Sequence, residues 1–313
     1  CMIKIGFFGT PDIAARCLEY LSGRFEIVFA VSCEDKPRGR NLRVCETPVH
    51  ESALKLGVPI LQPHSIKDPS FAESLTAYGA DIFVVVAYGK IIPRAVFALP
   101  RLGSINLHPS LLPLYRGAAP VEWAIRSGEK TSGVTVQCIN ERLDAGDIVL
   151  QKELPVGPDE TAGEFFARAV GEGSVMLERA ILGLADGSIK PHSQDESKAT
   201  HCGKITKEEA KVIWNESAES VHNLVRAFNP NHVAWSTFRG KNVRLLRTSL
   251  PKGDGLPALM SGEMAVFAKK RLFAGTGSGL VEILELHPET KKVMDAASFI
   301  TGYRLQPGDR WDS

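Results

Sequence analysis

At 313 residues, 44% hydrophobic and 23% charged, the chain has the composition of a folded globular protein and the length of two domains rather than one. No apolar run is long enough to span a membrane, and the opening CMIKIGFFGTPD is broken by Gly9, Pro11 and Asp12 before it can form the apolar core of a secretory signal. The net charge is +1, but from Lys204 onward 16 Lys and Arg accompany 12 Asp and Glu, against 21 and 24 before it. A mildly basic tail of this kind fits either a polyanionic partner or an uneven scatter of solvated charge.

Met2 to Phe8 reads as a first strand. In the turn Gly9-Thr10-Pro11-Asp12, Thr10 is the expected N-cap, Pro11 suits the first helical position, and Ile13 to Leu21 forms the helix. Glu26 to Ser32 is a second strand, and Cys33 to Thr47 a polar, basic connection without periodicity. A helix follows over Pro48 to Leu56, a short strand over Pro59 to Gln62 and a helix over Ser70 to Tyr78. Ala80 to Ala87 (ADIFVVVA) has the unbroken apolar run of a strand buried on both faces. Ile105 to His108, Ser132 to Asn140 and Asp147 to Lys152 add strands. Thr161 to Asp186 reads as a long amphipathic helix with a break expected near Gly171 and Gly173. This alternation predicts an α/β fold, a doubly wound and mostly parallel sheet. Gly187 to Cys202 is polar and unpatterned and reads as a linker. Thr206 to Phe228 suits one or two helices, and five β-rich runs within Val233 to Leu305 suit a small barrel.

Chemistry collects at one strand end. In INLHPSLLPLYRG, Ile105 and Leu107 alternate with Asn106 and His108, and Pro109 and Pro113 stop the strand. Two polar side chains therefore stand where α/β sheets place their ligands. The loop ERLDAGDI offers two carboxylates, Asp144 and Asp147. An Asn amide can donate to a developing oxyanion, a His can shuttle a proton, and a carboxylate can orient that His. Such a trio suits acyl transfer to an amine. An exposed His and a turn-capping Asp account for the same residues without any catalysis. GFFGTPD departs from GxGxxG and reads as a tight strand-to-helix turn rather than a nucleotide site. The six cysteines form no CxxC pair and no metal-like spacing with histidine, so reduced thiols in the cytoplasm are expected.

SINLHPSLLPLYRGAAPVEWAI followed by GVTVQCINERLDAGDI resembles the folate-dependent formyltransferase family. FFGTPDIAA, DKPRGR, VVVAYGKIIP, RGAAP and AFNP extend the resemblance nearly end to end, toward members whose acceptor is initiator methionyl-tRNA. It implies a Rossmann-like catalytic domain over 1–188, a linker over 189–204 and an OB-like, tRNA-binding barrel over 205–313. It implies transfer of the formyl group of 10-formyltetrahydrofolate to the methionine α-amino group, without a metal, by a cytoplasmic monomer acting in translation initiation. Asn106, His108 and Asp144 match the catalytic trio, Asp144 because it directly follows Leu143. Ser110, Leu111, Leu112 and Pro113 match the folate-holding loop, with Tyr88 expected at the pterin pocket. The tight reversal also predicts a cis peptide before Pro113. Lys36, Arg38, Arg40 and Arg43 fall in the loop that family members use on the tRNA acceptor end, Arg40 foremost. In the tail, Lys204, Lys207, Lys211, Arg244, Arg247, Lys269, Lys270 and Arg271 are candidate phosphate contacts. Trp214, Trp235 and Phe238 are expected in the core rather than as base-stacking platforms.

Three other readings compete. A formyltransferase for a different amine keeps the trio but predicts neither the basic loop nor this tail. An NAD-dependent oxidoreductase needs the missing GxGxxG. A non-catalytic RNA-binding module leaves Asn106, His108 and Asp144 without a purpose.

Overall fold

The computed structural model describes residues 2–38, 43–253 and 255–312. Contacts divide the chain into two compact units: Cys1–Gly117, Gly133–Leu154 and Ala167–His201 form the first, and Ala118–Ser132, Pro155–Phe166 and Cys202–Ser313 the second. No helix among the described residues is long and apolar enough to cross a membrane.

In chain order the first elements are β1 (Lys4–Gly9), α1 (Asp12–Ser22), β2 (Glu26–Val31), β3 (Lys36–Arg38), β4 (Arg43–Cys45), α2 (Pro48–Leu56), β5 (Ile60–Leu61), α3 (Pro69–Thr76), β6 (Ile82–Val86), α4 (Arg94–Phe97) and β7 (Ser104–His108). They continue with β8 (Arg116–Gly117), α5 (Pro120–Arg126), β9 (Thr131–Cys138), β10 (Ile148–Pro155) and α6 (Ala162–Asp186). A seven-stranded sheet runs in the order β10-β9-β7-β6-β1-β2-β5. Its inner pairs are parallel, and β7 meets β9 antiparallel. All five residues of β6 are buried, as their unbroken apolar run requires. Against this sheet Phe8, Phe29, Phe83 and Tyr88 pack in tilted and edge-to-face contacts.

Three local expectations need correction. Pro11, not Thr10, caps α1, and it makes no side-chain cap bond. The Thr10 hydroxyl instead donates to Tyr88 O at 2.9 Å and accepts from Cys33 N, which ties three strand ends together. The connection 33–47 contains a two-stranded hairpin, β3 with β4. Helix α6 continues through Gly171 and Gly173; Gly173 is small because a Cβ there would lie 2.6 Å from Leu107 Cδ2. The stretch 187–202 is mostly exposed and is tied down locally: His192 exchanges both backbone bonds with Ile148, and Gln194 is buried.

The second unit carries α7 (Ala218–Phe228), β12 (Trp235–Phe238), β13 (Lys241–Ser249), β14 (Met264–Phe267), β15 (Arg271–Gly275), β16 (Leu280–Pro288), β17 (Met294–Asp295) and α8 (Ala296–Tyr303), after the short β11 (His201–Cys202). Its strands form an antiparallel curled sheet in the order β12-β13-β16-β15-β14, with β17 on β16. Residues 309–312 join its two edges: Asp312 N donates to Thr237 O beside β12, and Met264 N on β14 donates to Asp309 O, both at 2.8 Å. The fold is thus a mixed Rossmann-like sheet followed by a curled, barrel-like antiparallel sheet. Thr206 and Glu209 exchange the reciprocal bonds of a capping box, yet the chain turns there, and only Ala218–Phe228 is helical. Trp214 and Phe238 are core residues, and Trp235 is half-buried.

Candidate active site

Strand β7 carries Asn106 and His108 opposite Gln137 and Thr135 of β9. Directly opposed residues share a face, so the four polar side chains line one side of the sheet beside each other. Asn106 is half-buried, and its carboxamide has no hydrogen-bond partner among the described residues. His108 is 4% exposed. Its Nε2 lies 2.9 Å from Tyr115 O; a carbonyl only accepts, so Nε2 carries the proton. Nδ1 is left facing Asp144 Oδ1 at 3.7 Å, beyond direct hydrogen-bond length.

Asp144 sits in the 140–147 loop with φ of 50°, a conformation Asp tolerates better than most residues. Its Oδ2 accepts from Gly117 N at 2.9 Å and its Oδ1 from Gln137 Nε2 at 3.1 Å. Gly146 lets the loop close, because a Cβ there would stand 1.7 Å from Cys138 O. Asp147 is exposed and its backbone carbonyl takes Cys138 N, so of the two carboxylates only Asp144 faces His108. Burial, with Asp147 nearby, pushes the Cys138 thiol up to about 11. It stays protonated at neutral pH and is no nucleophile.

The segment Ser110–Pro113 is pinned from β9 and β10. The Thr135 hydroxyl donates to Ser110 O at 2.7 Å and accepts from Leu112 N, while Gln151 Nε2 donates to Leu112 O at 2.9 Å. The Leu112–Pro113 bond is cis. Ser110 and Leu112 are buried, and the Ser110 hydroxyl donates to Leu114 O; Leu111 and Pro113 are half-buried. Tyr88 lies in the aromatic core with its hydroxyl buried and unpaired among the described residues, and burial raises its ionisation well above the usual tyrosine value.

Three buried polar residues around the trio have no role assigned in the sequence reading: Arg116, Gln137 and Gln194. Gln137 was open to discovery, since the β7–β9 alternation puts it opposite Asn106. Gln194 was not, because its segment has no periodicity.

Of the basic loop residues, Lys36 is exposed, and Arg38 and Arg43 pair across the β3–β4 hairpin. Arg40 lies outside the described residues. Asp35 holds the hairpin base: its Oδ1 accepts from Thr47 N at 2.9 Å and Gln62 Nε2 at 2.8 Å, and its Oδ2 meets His50 Nδ1 at 2.9 Å. Burial alone raises the Asp35 carboxyl, but these hydrogen bonds and the His50 charge outweigh it and hold it below the usual range. In the second unit Arg247 pairs with Glu164 and Arg271 with Glu282. Lys204, Lys207, Lys211, Arg244, Lys269 and Lys270 are exposed.

The family model for formyl transferase matches residues 4–181, and that for the formyl transferase C-terminal domain matches 204–304. The methionyl-tRNA formyltransferase of Thermodesulfovibrio yellowstonii is 38% identical over 303 residues, covering 96% of each chain. That of Leptospira interrogans is 39% identical over 315 residues, covering 98% of this chain and 99% of its own. Among solved structures, the sugar 3N-formyl transferase WlaRD, in the presence of dTDP and 5-N-formyl-THF, superposes with a TM-score of 0.68 at 18% identity, over 93% of this chain and all of that one. HypX from Aquifex aeolicus in complex with tetrahydrofolic acid gives 0.66 at 18% identity over the whole of this chain, which spans about half (51%) of HypX. At such identity the two structures speak for the fold alone. Matched in both parts and nearly end to end by relatives of one name, the chain belongs to the methionyl-tRNA formyltransferase family.

Proposed function

We propose that the chain transfers the formyl group of 10-formyltetrahydrofolate to the α-amino group of methionine on initiator methionyl-tRNA, with Asn106, His108 and Asp144 as catalytic residues. It is a one-carbon transferase, as its family is, with the folate as co-substrate. The observation that carries the site assignment is the unpartnered Asn106 carboxamide beside His108, whose Nδ1 faces Asp144.

The amine lone pair attacks the formyl carbon, and the carbonyl oxygen gains negative charge. The Asn106 N–H and a protonated His108 stabilise that oxyanion. Nε2 of His108 is engaged by Tyr115 O, which leaves Nδ1 for Asp144 and the reacting centre. Asp144 orients the imidazole and takes the ammonium proton, directly or through one water. Collapse breaks the bond to N10 of the folate, and N10 takes up a proton, giving formylmethionyl-tRNA and tetrahydrofolate. The 110–113 segment holds the folate, offering its backbone, Leu111 and Pro113, with Tyr88 backing the pocket from the core.

Lys36, Arg38, Arg40 and Arg43 take the tRNA acceptor end. The division of labour is a catalytic part within 1–188 and a tRNA-binding part within 205–313, in a cytoplasmic monomer. Formyl transfer to methionyl initiator tRNA, compared for wild type and His108→Ala with uncharged tRNA as control, tests the reading. Transfer lost in the variant while tRNA still binds is the expected result. Formylation only of some other amine would overturn the acceptor assignment and leave the folate site standing.

A further inference from the structure

A line of hydrogen bonds runs from a buried guanidinium to the Asp144 carboxylate through two neutral amides. Arg116, 3% exposed, donates from Nε and Nη2 to Gln194 Oε1 at 3.1 and 2.7 Å. Gln194 Nε2 lies 3.3 Å from Gln137 Oε1, and Gln137 Nε2 donates to Asp144 Oδ1 at 3.1 Å. The orientation of both amides is dictated from the ends. A guanidinium only donates, so Gln194 must present its oxygen to Arg116 and its nitrogen onward. An ionised carboxylate only accepts, so Gln137 must present its nitrogen to Asp144. Every dipole in the line then points the same way, and such chains strengthen one another in a low-dielectric interior.

Gln194 also grips the loop itself. Its two Nε2 protons are shared among Gln137 Oε1, Asp144 O at 3.0 Å and Gly146 O at 2.7 Å, the last two on either side of Ala145. Arg116 is fixed in turn by Glu196 at 3.0 and 3.1 Å. Asp144, in its φ of 50°, is thus held at its backbone by Gln194 and at its side chain by Gln137 and Gly117 N.

We propose that Gln194 and Gln137 are positioning residues for Asp144, forming a head-to-tail amide relay from Arg116 that sets the carboxylate's rotamer toward His108. The proposal rests on the catalytic reading of Asp144 above. Gln194→Met removes the relay with little change of volume. Gln137→Met removes the two links that Gln137 makes, to Gln194 and to Asp144, and leaves the grip on the 144 and 146 carbonyls intact.

The test is single-turnover formyl transfer by the full-length enzyme, with both variants made in the wild-type and Asp144→Asn backgrounds. In the wild-type background each variant should lower the transfer rate about 10- to 100-fold, the cost of a catalytic group misplaced by about an ångström. KM for folate and for aminoacyl-tRNA should stay unchanged. In the Asp144→Asn background neither variant should lower the rate further, because the group they position is gone. A residue that merely holds the fold would cost the same factor in both backgrounds, and that result overturns the proposal, as does a wild-type rate in Gln137→Met. Should Gln194→Met not fold by circular dichroism, Gln137→Met carries the test alone. A fully active Asp144→Asn enzyme would sink the role of Asp144 itself. An inactive Asp144→Asn with fully active glutamine variants would sink only the relay.

Discussion

Gly173 of α6 lies against Leu107 of β7 so closely that a Cβ on residue 173 would stand 2.6 Å from Leu107 Cδ2. Leu107 separates Asn106 from His108 and is buried, so it has no room to retreat. Gly173→Ala should destabilise the protein by about 1–3 kcal/mol through overpacking and lower the transfer rate by displacing the strand that carries both side chains. Gly171, two residues earlier, is exposed and meets nothing within 4 Å. Gly171→Ala should therefore raise stability by about 0.5–1 kcal/mol, the ordinary gain in a helix. Thermal unfolding of the two variants side by side checks the pair; equal shifts would contradict the close approach.

Thr135 pins the 110–113 segment by one hydroxyl that serves Ser110 O, Leu112 N and Gln151 Nε2. Thr135→Val keeps the shape and takes the hydroxyl from Ser110 O and Leu112 N, whose bonds to it are buried, at a cost of about 1–3 kcal/mol. The expected kinetic signature is a raised KM for the folate, with KM for tRNA little changed. Steady-state titration of each substrate decides this.

Asp35 ties the hairpin base to α2 and β5 through Thr47, His50 and Gln62. If the basic loop grips tRNA, Asp35→Ala should raise KM for tRNA about tenfold, the effect of roughly 1.4 kcal/mol, and leave folate binding alone. An unchanged KM for tRNA across a range of salt would separate the hairpin from tRNA binding.

His222 is buried as a neutral ring, with Nε2 donating to Pro158 O at 3.0 Å and Nδ1 accepting from the Thr248 hydroxyl at 2.9 Å. Burial dominates and lowers its pKa below 6.5, despite the backbone bond and nearby acids. As pH falls below about 6.5 the unfolded chain takes up a proton that the folded chain refuses, so stability is lost down to the folded pKa. One such group contributes at most about 1.4 kcal/mol per pH unit. Denaturant melts of wild type and His222→Gln between pH 7 and pH 5 should show a shallower slope for the variant, even if its stability at pH 7 is lower.

The alternating strands of the first sheet, and the standing of Asn106 and His108 at the end of one of them, were legible because they are written locally: alternation in Ile105–His108 and prolines that stop the strand. The five tail strands were legible for the same reason. Thr10 misled because its local signature as a cap is genuine, while its hydroxyl is taken by Tyr88 O, 78 residues away. Glycines in α6 signal a helix break by propensity, and only the approach of Leu107 shows that Gly173 serves packing. Gln194 was out of reach, since all of its partners lie more than 40 residues away and an amide among polar neighbours has no periodicity to betray it.

The joining of both sheet edges by residues 309–312 bears on how the protein is made. On a ribosome, β12 and β14 emerge with open backbone edges and stay so until that short segment has been synthesised and has cleared the exit tunnel. During that interval the half-finished sheet is a template for pairing with a neighbouring nascent chain. The second unit therefore closes only once residues 309–312 have been made, and the interval before that is when this chain is most exposed to misassembly.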